Sequence, residues 1–221
     1  MTARRDAPYA FDDLPLGPVD PGTSVIVTGP VLNGARELGL RLLKCDETDC
    51  GTLIVATDSG AAATLEDFER HGGTLDPKRI GVVDCAQDGR ESPENCVSTV
   101  GTPGDLTGIG IEYSDHYERL YAAGYERVRT GVLTATPLLV YSDDVRPVYR
   151  FVNTVTGRID TAGGIGACVL DPKAHDEQVV ESLVQCFDGR VHVRAGDEGV
   201  ELRVDGLPDQ PADWTAVDPA A

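Results

Sequence analysis

Lysine is scarce in this sequence: of its 19 basic residues only three are lysine, Lys44, Lys78 and Lys173. Against them stand 37 acidic residues, mostly aspartate, which give a formal net charge of -18 and a pI near 4.4. Nonspecific nucleic-acid binding needs a positive surface that displaces phosphate counterions, so this charge balance argues against it. A surface rich in aspartate also remains hydrated in concentrated salt, where its charges are screened. We therefore expect a halophilic protein.

Long hydrophobic runs are also absent, since none approaches the ~18 residues that a membrane span requires. The N-terminus, Met1-Thr-Ala-Arg-Arg5, leads into polar, proline-rich sequence and does not resemble a signal peptide. Most of the six cysteines lie in or beside apolar runs, where a free thiol packs as a small hydrophobe. Cys45 and Cys50 have no partners at zinc-finger spacing, so no metal site is expected. These features predict a cytoplasmic protein with reduced cysteines and no membrane partner.

Short apolar runs alternate along the chain with amphipathic segments, a pattern that predicts an α/β fold with a mostly parallel sheet covered by helices on both faces. We expect an irregular lead-in at 1–23, one domain at 24–205 and a polar C-terminal tail at 206–221. The domain should end in a β-hairpin, because residues 190–194 and 200–204 alternate cleanly around a turn. The other predicted strands are 24–29, 52–56, 79–83, 96–100, 137–141 and 165–170; the predicted helices are 35–45, 62–71, 106–123 with a short second helix reaching 131, 145–159 and 176–187.

The first predicted strand leads into Gly29-Pro-Val-Leu-Asn-Gly34-Ala35-Arg36. A segment between a buried strand and a helix is where phosphate-binding loops with the pattern G-x-x-x-x-G-K-[ST] are found. The two glycines have the required spacing, but Ala35 and Arg36 stand where the pattern has its Lys and its Ser or Thr. A tight strand-to-helix turn explains the same glycines. The candidate nucleotide-binding residues are Gly29, Pro30, Asn33, Gly34, Ala35 and Arg36.

The surrounding sequence resembles the KaiC-like members of the RecA superfamily. Phe11-Asp-Asp-Leu14 and Val19–Pro30 are similar to the segment that leads into the phosphate loop of these proteins, and 113–141 and 163–170 follow their later order of elements. Further segments, including Tyr149-Arg-Phe-Val152 and Asp171–Asp176, are similar to a haloarchaeal group of KaiC-like proteins. The resemblance implies a three-layer RecA-like P-loop NTPase fold and covers roughly residues 11 to 205.

The resemblance also implies two acidic positions. KaiC-like ATPases place an acid that activates water after the second strand, where Asp58 is the nearest match. Their Walker-B strand, matched to 137–141, should end in an Asp that organises Mg²⁺, but Ser142 falls there and Asp143 follows it. Both acids are only weak catalytic candidates. Asp58 equally suits a cap of the next helix, and Asp143 with Asp144 suits the N-terminus of the helix that follows.

These departures predict a regulatory or assembly protein that does not hydrolyse ATP and that forms homo- or hetero-oligomers with RecA/KaiC-like or signalling proteins. Two alternatives remain: a sensor that binds ATP or another nucleotide without turnover, and a slow ATPase that uses Arg36 and Asp58. No cofactor is required by the sequence. His175, between Asp171 and Asp176, is assigned to helix capping and surface charge and not to a metal site.

Overall fold

The computed structural model describes residues 7–45, 47–87, 95–196 and 199–218. Within these residues nine strands form one sheet in the order β4-β3-β2-β5-β6-β1-β7-β8-β9, with parallel pairing from β4 through β7 and antiparallel pairing from β7 to β9. The strands are β1 Ser24–Thr28, β2 Cys50–Ala56, β3 Ile80–Asp84, β4 Val97–Thr99, β5 Arg127–Leu133, β6 Ile165–Leu170, β7 Gly189–Gly196, β8 Gly199–Asp205 and β9 Thr215–Ala216. The helices are α1 Ala35–Leu42, α2 Ala61–Arg70, α3 Leu106–Ala122, α4 Ala135–Val140, α5 Val145–Ala162 and α6 Glu177–Val184.

The sheet is covered on both faces, and each face has its own hydrophobic cluster. One cluster joins α1 and α2 to the sheet, and the other joins α3, α4, α5 and α6 to it. Strands β1, β2, β3, β5 and β6 are buried along their full length, as expected for parallel strands covered on both sides. The predicted α/β class, the three layers and the C-terminal hairpin of β7 and β8 are therefore confirmed.

One predicted strand is wrong. Residues 137–141 do not form a strand, because Ala135–Val140 is helix α4, and the strand lies earlier, at Arg127–Leu133, where we expected a short helix reaching 131. The sequence of β5 does not look like a buried strand because it carries two arginines. Both are nonetheless buried, with exposed fractions of 1% for Arg127 and 4% for Arg129. Their guanidinium groups contact the N-terminal segment, and in addition Arg127 pairs with the Glu47 carboxylate at 2.7 Å and Arg129 donates to the carbonyl oxygen of Leu42 at 3.0 Å.

The lead-in is ordered by these two arginines. Arg127 donates to the carbonyl oxygen of Ala7 at 2.7 Å, and Arg129 donates to that of Ala10 at 3.0 Å. The Arg127 guanidinium also lies 3.8 Å from the centre of the Tyr9 ring, a cation–π contact. Burial raises the pKa of the Tyr9 hydroxyl to about 12, although the Arg127 charge opposes the rise. A segment without regular structure is thus fixed across the start of β5.

A buried arginine also connects the lead-in with the C-terminal stretch. Arg41 of α1 donates to the Asp13 carboxylate at 3.1 Å and to the carbonyl oxygen of Asp218 at 2.7 Å. The C-terminal stretch itself adds β9 to the hairpin and buries Val217. Within the part of the chain that the structure describes, no helix has the length and apolar character needed to cross a membrane.

The prediction of reduced cysteines is wrong for one pair. Cys45 and Cys50 form a disulfide that closes a short loop between α1 and β2. Cys45 follows the end of α1 and Cys50 begins β2, and their Cα atoms are 5.6 Å apart, a normal separation for a bridge. Cys85, Cys168 and Cys186 are free thiols.

Candidate functional site

The loop between β1 and α1 lies at the carboxyl edge of the sheet, where ligands bind in open α/β folds. A short 3₁₀ turn at Val31–Asn33 precedes Gly34, which has a left-handed φ of 106° and begins α1. The N–H of Ala35 donates back to the carbonyl oxygen of Pro30 at 3.4 Å and so closes the loop on itself. Leu32 is 96% exposed and does not fill the loop. The side chain of the candidate Asn33 lies outside the described residues.

The C-terminal hairpin packs against both loop glycines. A Cβ atom at position 29 would lie 2.6 Å from the carbonyl oxygen of Val193 in β7, and one at position 34 would lie 2.6 Å from a methyl carbon of Val200 in β8. Real Cβ atoms do not approach so closely, so internal packing alone requires glycine at both positions. The structure thus supplies a local reason for the G-x-x-x-x-G spacing.

Arg36 supplies the positive charge of the 29–36 loop, and it points sideways towards α2. Its guanidinium lies 2.6 Å from the Asp58 carboxylate and 3.6 Å from that of Asp67, and it donates to the Thr64 hydroxyl at 3.3 Å. Position 36 is about 100° further round the helix than position 35, which directs its side chain to this neighbour. Both carboxylates compete with any phosphate for the same cation.

Asp58 is brought to the loop as the sequence comparison implied, but as a partner of Arg36. Its carboxylate does not cap α2, which begins at Gly60 without a side-chain cap. Burial raises the pKa of the Asp58 carboxyl above its ordinary value, and the adjacent Arg36 charge opposes that rise. The two residues of the slow-ATPase alternative therefore neutralise each other in this structure.

The neutral hydroxyl group of Thr57 lies where β2 and β5 end. The N–H of Thr134 donates to the Thr57 hydroxyl oxygen at 2.6 Å, and that hydroxyl donates to the carbonyl oxygen of Thr134 at 2.5 Å. Because β5 ends at Leu133, the acid matched to the Walker-B position does not follow this strand. Asp143 lies beyond α4, where Asp144 caps α5 by accepting from the N–H of Arg146 at 3.1 Å. The capping interpretation of this pair is confirmed for Asp144.

The sequence analysis did not single out Asp84, a residue that holds backbone N–H groups at this edge of the sheet. Asp84, the last residue of β3, is buried and accepts from the N–H of Ala61 at the start of α2 and from those of Ala86 and Gln87, each at 3.0 Å. The signal was present, because an aspartate that ends an apolar strand commonly holds backbone N–H groups at the sheet edge. Asp84 positions the first turn of α2, the helix that carries Asp67.

Asp143 lines a cavity of about 450 Å³ that is separate from the 29–36 loop, and Lys173, His175 and Asp176 line it as well. Burial lowers the pKa of the His175 imidazole, while the nearby Asp171 and Asp176 act in the opposite direction. Within the described ranges no group of three or more His, Cys, Asp or Glu residues is arranged to hold a metal ion. The structure therefore brings Arg36 and Asp58 together and leaves Asp143 in a different place.

A model of the family DUF7504, described as a family of unknown function, matches residues 22–193. The chain belongs to this family. The match includes the β1–α1 loop, Arg36 and its two carboxylate partners, as well as both arginines of β5. No curated protein matches this DUF7504 chain.

Two archaeal structures share the fold of this DUF7504 protein. The KaiC-like protein PH0186 from Pyrococcus horikoshii OT3 has a TM-score of 0.62 at 13% identity, with 95% of this chain and 91% of that chain covered. The uncharacterized protein PH0321 from Pyrococcus horikoshii, solved in complex with an unknown peptide, has a TM-score of 0.63 at 13% identity, with 86% and 85% covered. The DUF7504 chain therefore has a KaiC-like, RecA-type fold.

Proposed function

We propose that this protein is a KaiC/RecA-like domain with a degenerate phosphate loop, which acts in regulation or assembly and does not hydrolyse ATP. The observation that carries the proposal is the pairing of Arg36, the positive charge of the loop, with Asp58 and Asp67. Phosphate binding at a helix N-terminus normally combines backbone N–H groups with a cation and Mg²⁺. In this loop the cation is engaged, and position 35 is an alanine.

The ends of the central strands support the same conclusion. The Thr57 hydroxyl hydrogen-bonds to the backbone of Thr134, the first residue after β5, where an ATPase of this class needs an acid for Mg²⁺. Partners are proposed to be RecA/KaiC-like or signalling proteins, and the peptide seen with PH0321 is compatible with a fold that engages polypeptides. We further propose a halophilic and archaeal setting, on the basis of the acidic, lysine-poor composition, and a cytoplasmic one, in which the bridge between Cys45 and Cys50 would be an exception to the usual reduced state of thiols.

A nucleotide titration in concentrated salt with Mg²⁺ tests this proposal. A ligand at about 100 times its Kd adds about 2.7 kcal/mol to the free energy of unfolding, which raises Tm by roughly 5–10 °C for a chain of this length. We expect no shift in Tm with ATP, ADP or GTP at about 5 mM, which is far above the ordinary micromolar affinities, and no release of phosphate.

The two alternatives give different results. A shift in Tm without phosphate release identifies a nucleotide sensor. Phosphate release that is lost in both Arg36→Ala and Asp58→Asn identifies an ATPase and overturns the proposal. Lys173→Ala is the control for the loss of one positive charge away from the loop, because Lys173 lies in the cavity with Asp143.

A further inference from the structure

An open groove of about 640 Å³ runs between α3 and α5, on the face of the sheet that the β1–α1 loop does not contact. Its apolar lining includes Leu106 and Ile111 of α3 and Pro147 and Phe151 of α5. The side chain of Ile111 is 56% exposed, although a large aliphatic side chain gains about 1.5–3 kcal/mol from full burial. The groove thus presents an uncovered apolar surface bounded by two long helices.

The two walls of the groove carry opposite charge. Helix α3 has a net charge of -2 and α5 a net charge of +2, but Arg158 of α5 is engaged within the chain, where it donates to the Ser114 hydroxyl at 2.6 Å. Asp115 on the α3 wall and Arg150 on the α5 wall both line the groove. Among the described residues neither forms an ion pair, although most arginines of this acidic chain contact a carboxylate or a carbonyl oxygen.

The α3 wall of the groove also leaves room for another surface to approach its backbone closely. Gly110 lies in the helix interior, where glycine costs about 1 kcal/mol relative to alanine. A Cβ atom at this position would meet no atom of the described residues within 4 Å. Internal packing therefore does not require glycine here, and the space is open to an outside surface.

We infer that this groove is a homotypic docking surface, in which a second copy of the chain packs against the first about a two-fold axis. In a two-fold contact each surface meets itself, so a residue that contacts a second residue across the axis is contacted by it in return. The acidic α3 of one copy then faces the basic α5 of its partner, and Arg150 pairs with the partner's Asp115 twice. Ile111 is buried at the centre of this contact. A two-fold axis that runs along the groove places the acidic wall of each copy against the basic wall of the other.

The size of the surface sets the expected affinity. Helices of 17 and 18 residues are about 26 and 27 Å long. At a width of about 10 Å per helix, they offer on the order of 500 Å² per copy, below the ~800 Å² of a standard interface. We expect a dimer with a Kd of about 10–100 µM, because a small contact between two acidic chains is weak.

Sedimentation equilibrium of the full chain without nucleotide tests the inference, over concentrations from about 5 to 500 µM that bracket this Kd. The wild type should rise from 23.5 kDa towards twice that mass. Arg150→Asp and Asp115→Arg should each raise the Kd about ten-fold or more, since each places like charges opposite one another. The double variant Asp115→Arg/Arg150→Asp should regain dimerisation, because the swap restores opposite charges in both pairs.

Two further variants complete the design. Ile111→Asp should leave a monomer at every concentration, whereas Lys173→Asp, the same charge reversal outside the groove, should leave the Kd unchanged. A wild type that stays monomeric overturns the inference, and so does self-association that neither single charge reversal weakens or that the double swap does not restore. These variants lie on exposed or half-exposed positions, and a Tm within a few degrees of the wild type shows that they fold. The measurement contains no nucleotide, so its outcome is independent of the proposed function.

Discussion

Replacing Arg36 by methionine separates a structural arginine from one that is available to a phosphate. The substitution keeps an unbranched, flexible side chain but removes contacts with the Asp58 carboxylate at 2.6 Å, the Asp67 carboxylate at 3.6 Å and the Thr64 hydroxyl at 3.3 Å. The Arg36 side chain is 13% exposed and that of Asp58 22% exposed, so the carboxylates lose a partner in a partly dry site. We expect the free energy of unfolding to fall by about 2 kcal/mol at pH 7. Tm should then fall by roughly 4–8 °C.

The pH dependence of this loss gives a sharper test. Burial already raises the pKa of folded Asp58 above 3.8, its ordinary value, and removing Arg36 raises it further. A carboxyl whose pKa is higher in the folded than in the unfolded state favours folding below its unfolded pKa, and this contribution disappears as pH rises through the folded pKa. The difference between Arg36→Met and wild type should therefore be largest at pH 7 and shrink towards pH 4. Urea unfolding followed by circular dichroism measures it at each pH.

The control variants isolate the ion pair. Arg36→Lys retains the charge and should lose less stability than Arg36→Met. In the double variant Arg36→Met/Asp58→Asn a neutral amide replaces the unpaired carboxylate, so its loss should be smaller than the sum of the two single losses. A loss below about 0.5 kcal/mol that is the same at pH 4 and pH 7 would refute the reasoning, because the guanidinium would then be free in solution.

Three further predictions concern the rest of the framework. Gly34→Ala should lower the free energy of unfolding by about 1–3 kcal/mol in thermal melts, because φ is 106° and Val200 occupies the space that the added Cβ atom needs. Adding Val200→Ala should recover only the part of this loss that is due to the steric clash. Full recovery would disprove backbone strain at position 34. Arg127→Met should lower the free energy of unfolding by about 3 kcal/mol, measured by urea unfolding, since the buried guanidinium orders the lead-in; unchanged protection of the lead-in amides in hydrogen exchange would contradict this. Dithiothreitol should lower the free energy of unfolding by about 2 kcal/mol, because it reduces the disulfide between Cys45 and Cys50. Equal stability with and without the reductant would show that these two cysteines are not paired.

The order of strands and helices was predictable wherever a segment is apolar on the face or faces that it buries. Residues 24–28, 52–56 and 165–170 are apolar runs that became central strands, because both of their faces are covered. Strand β5 escaped prediction because its arginines are made compatible with burial by carbonyl oxygens far away in sequence. No local pattern contains that information. Pro137–Tyr141 was misread since a short apolar run suits a buried strand or a buried helix equally well.

The sequence predicted where the candidate site lies but not that Arg36 is paired with carboxylates there. The glycine spacing located the loop, and the resemblance located Asp58 beside it. That Asp58 and Asp67 would hold Arg36 depends on the distance between α1 and α2, which only the packed structure sets. The disulfide was missed for a similar reason, because apolar neighbours suggested free thiols and the chain reversal that joins Cys45 to Cys50 was not visible in composition.

The contacts of Arg127 and Arg129 with the lead-in also affect the order in which parts of the chain fold. Ala7 and Arg127 are 120 residues apart, so at synthesis rates of 5–20 residues per second the lead-in waits roughly 6–24 s for its partner to emerge. Until the two meet, the arginines of β5, which lies between β2 and β6, lack part of their hydrogen-bond partners, and their burial costs free energy. The middle of the sheet can therefore close only once the first and the central parts of the chain are both present, and a nascent chain remains open to chaperones until then.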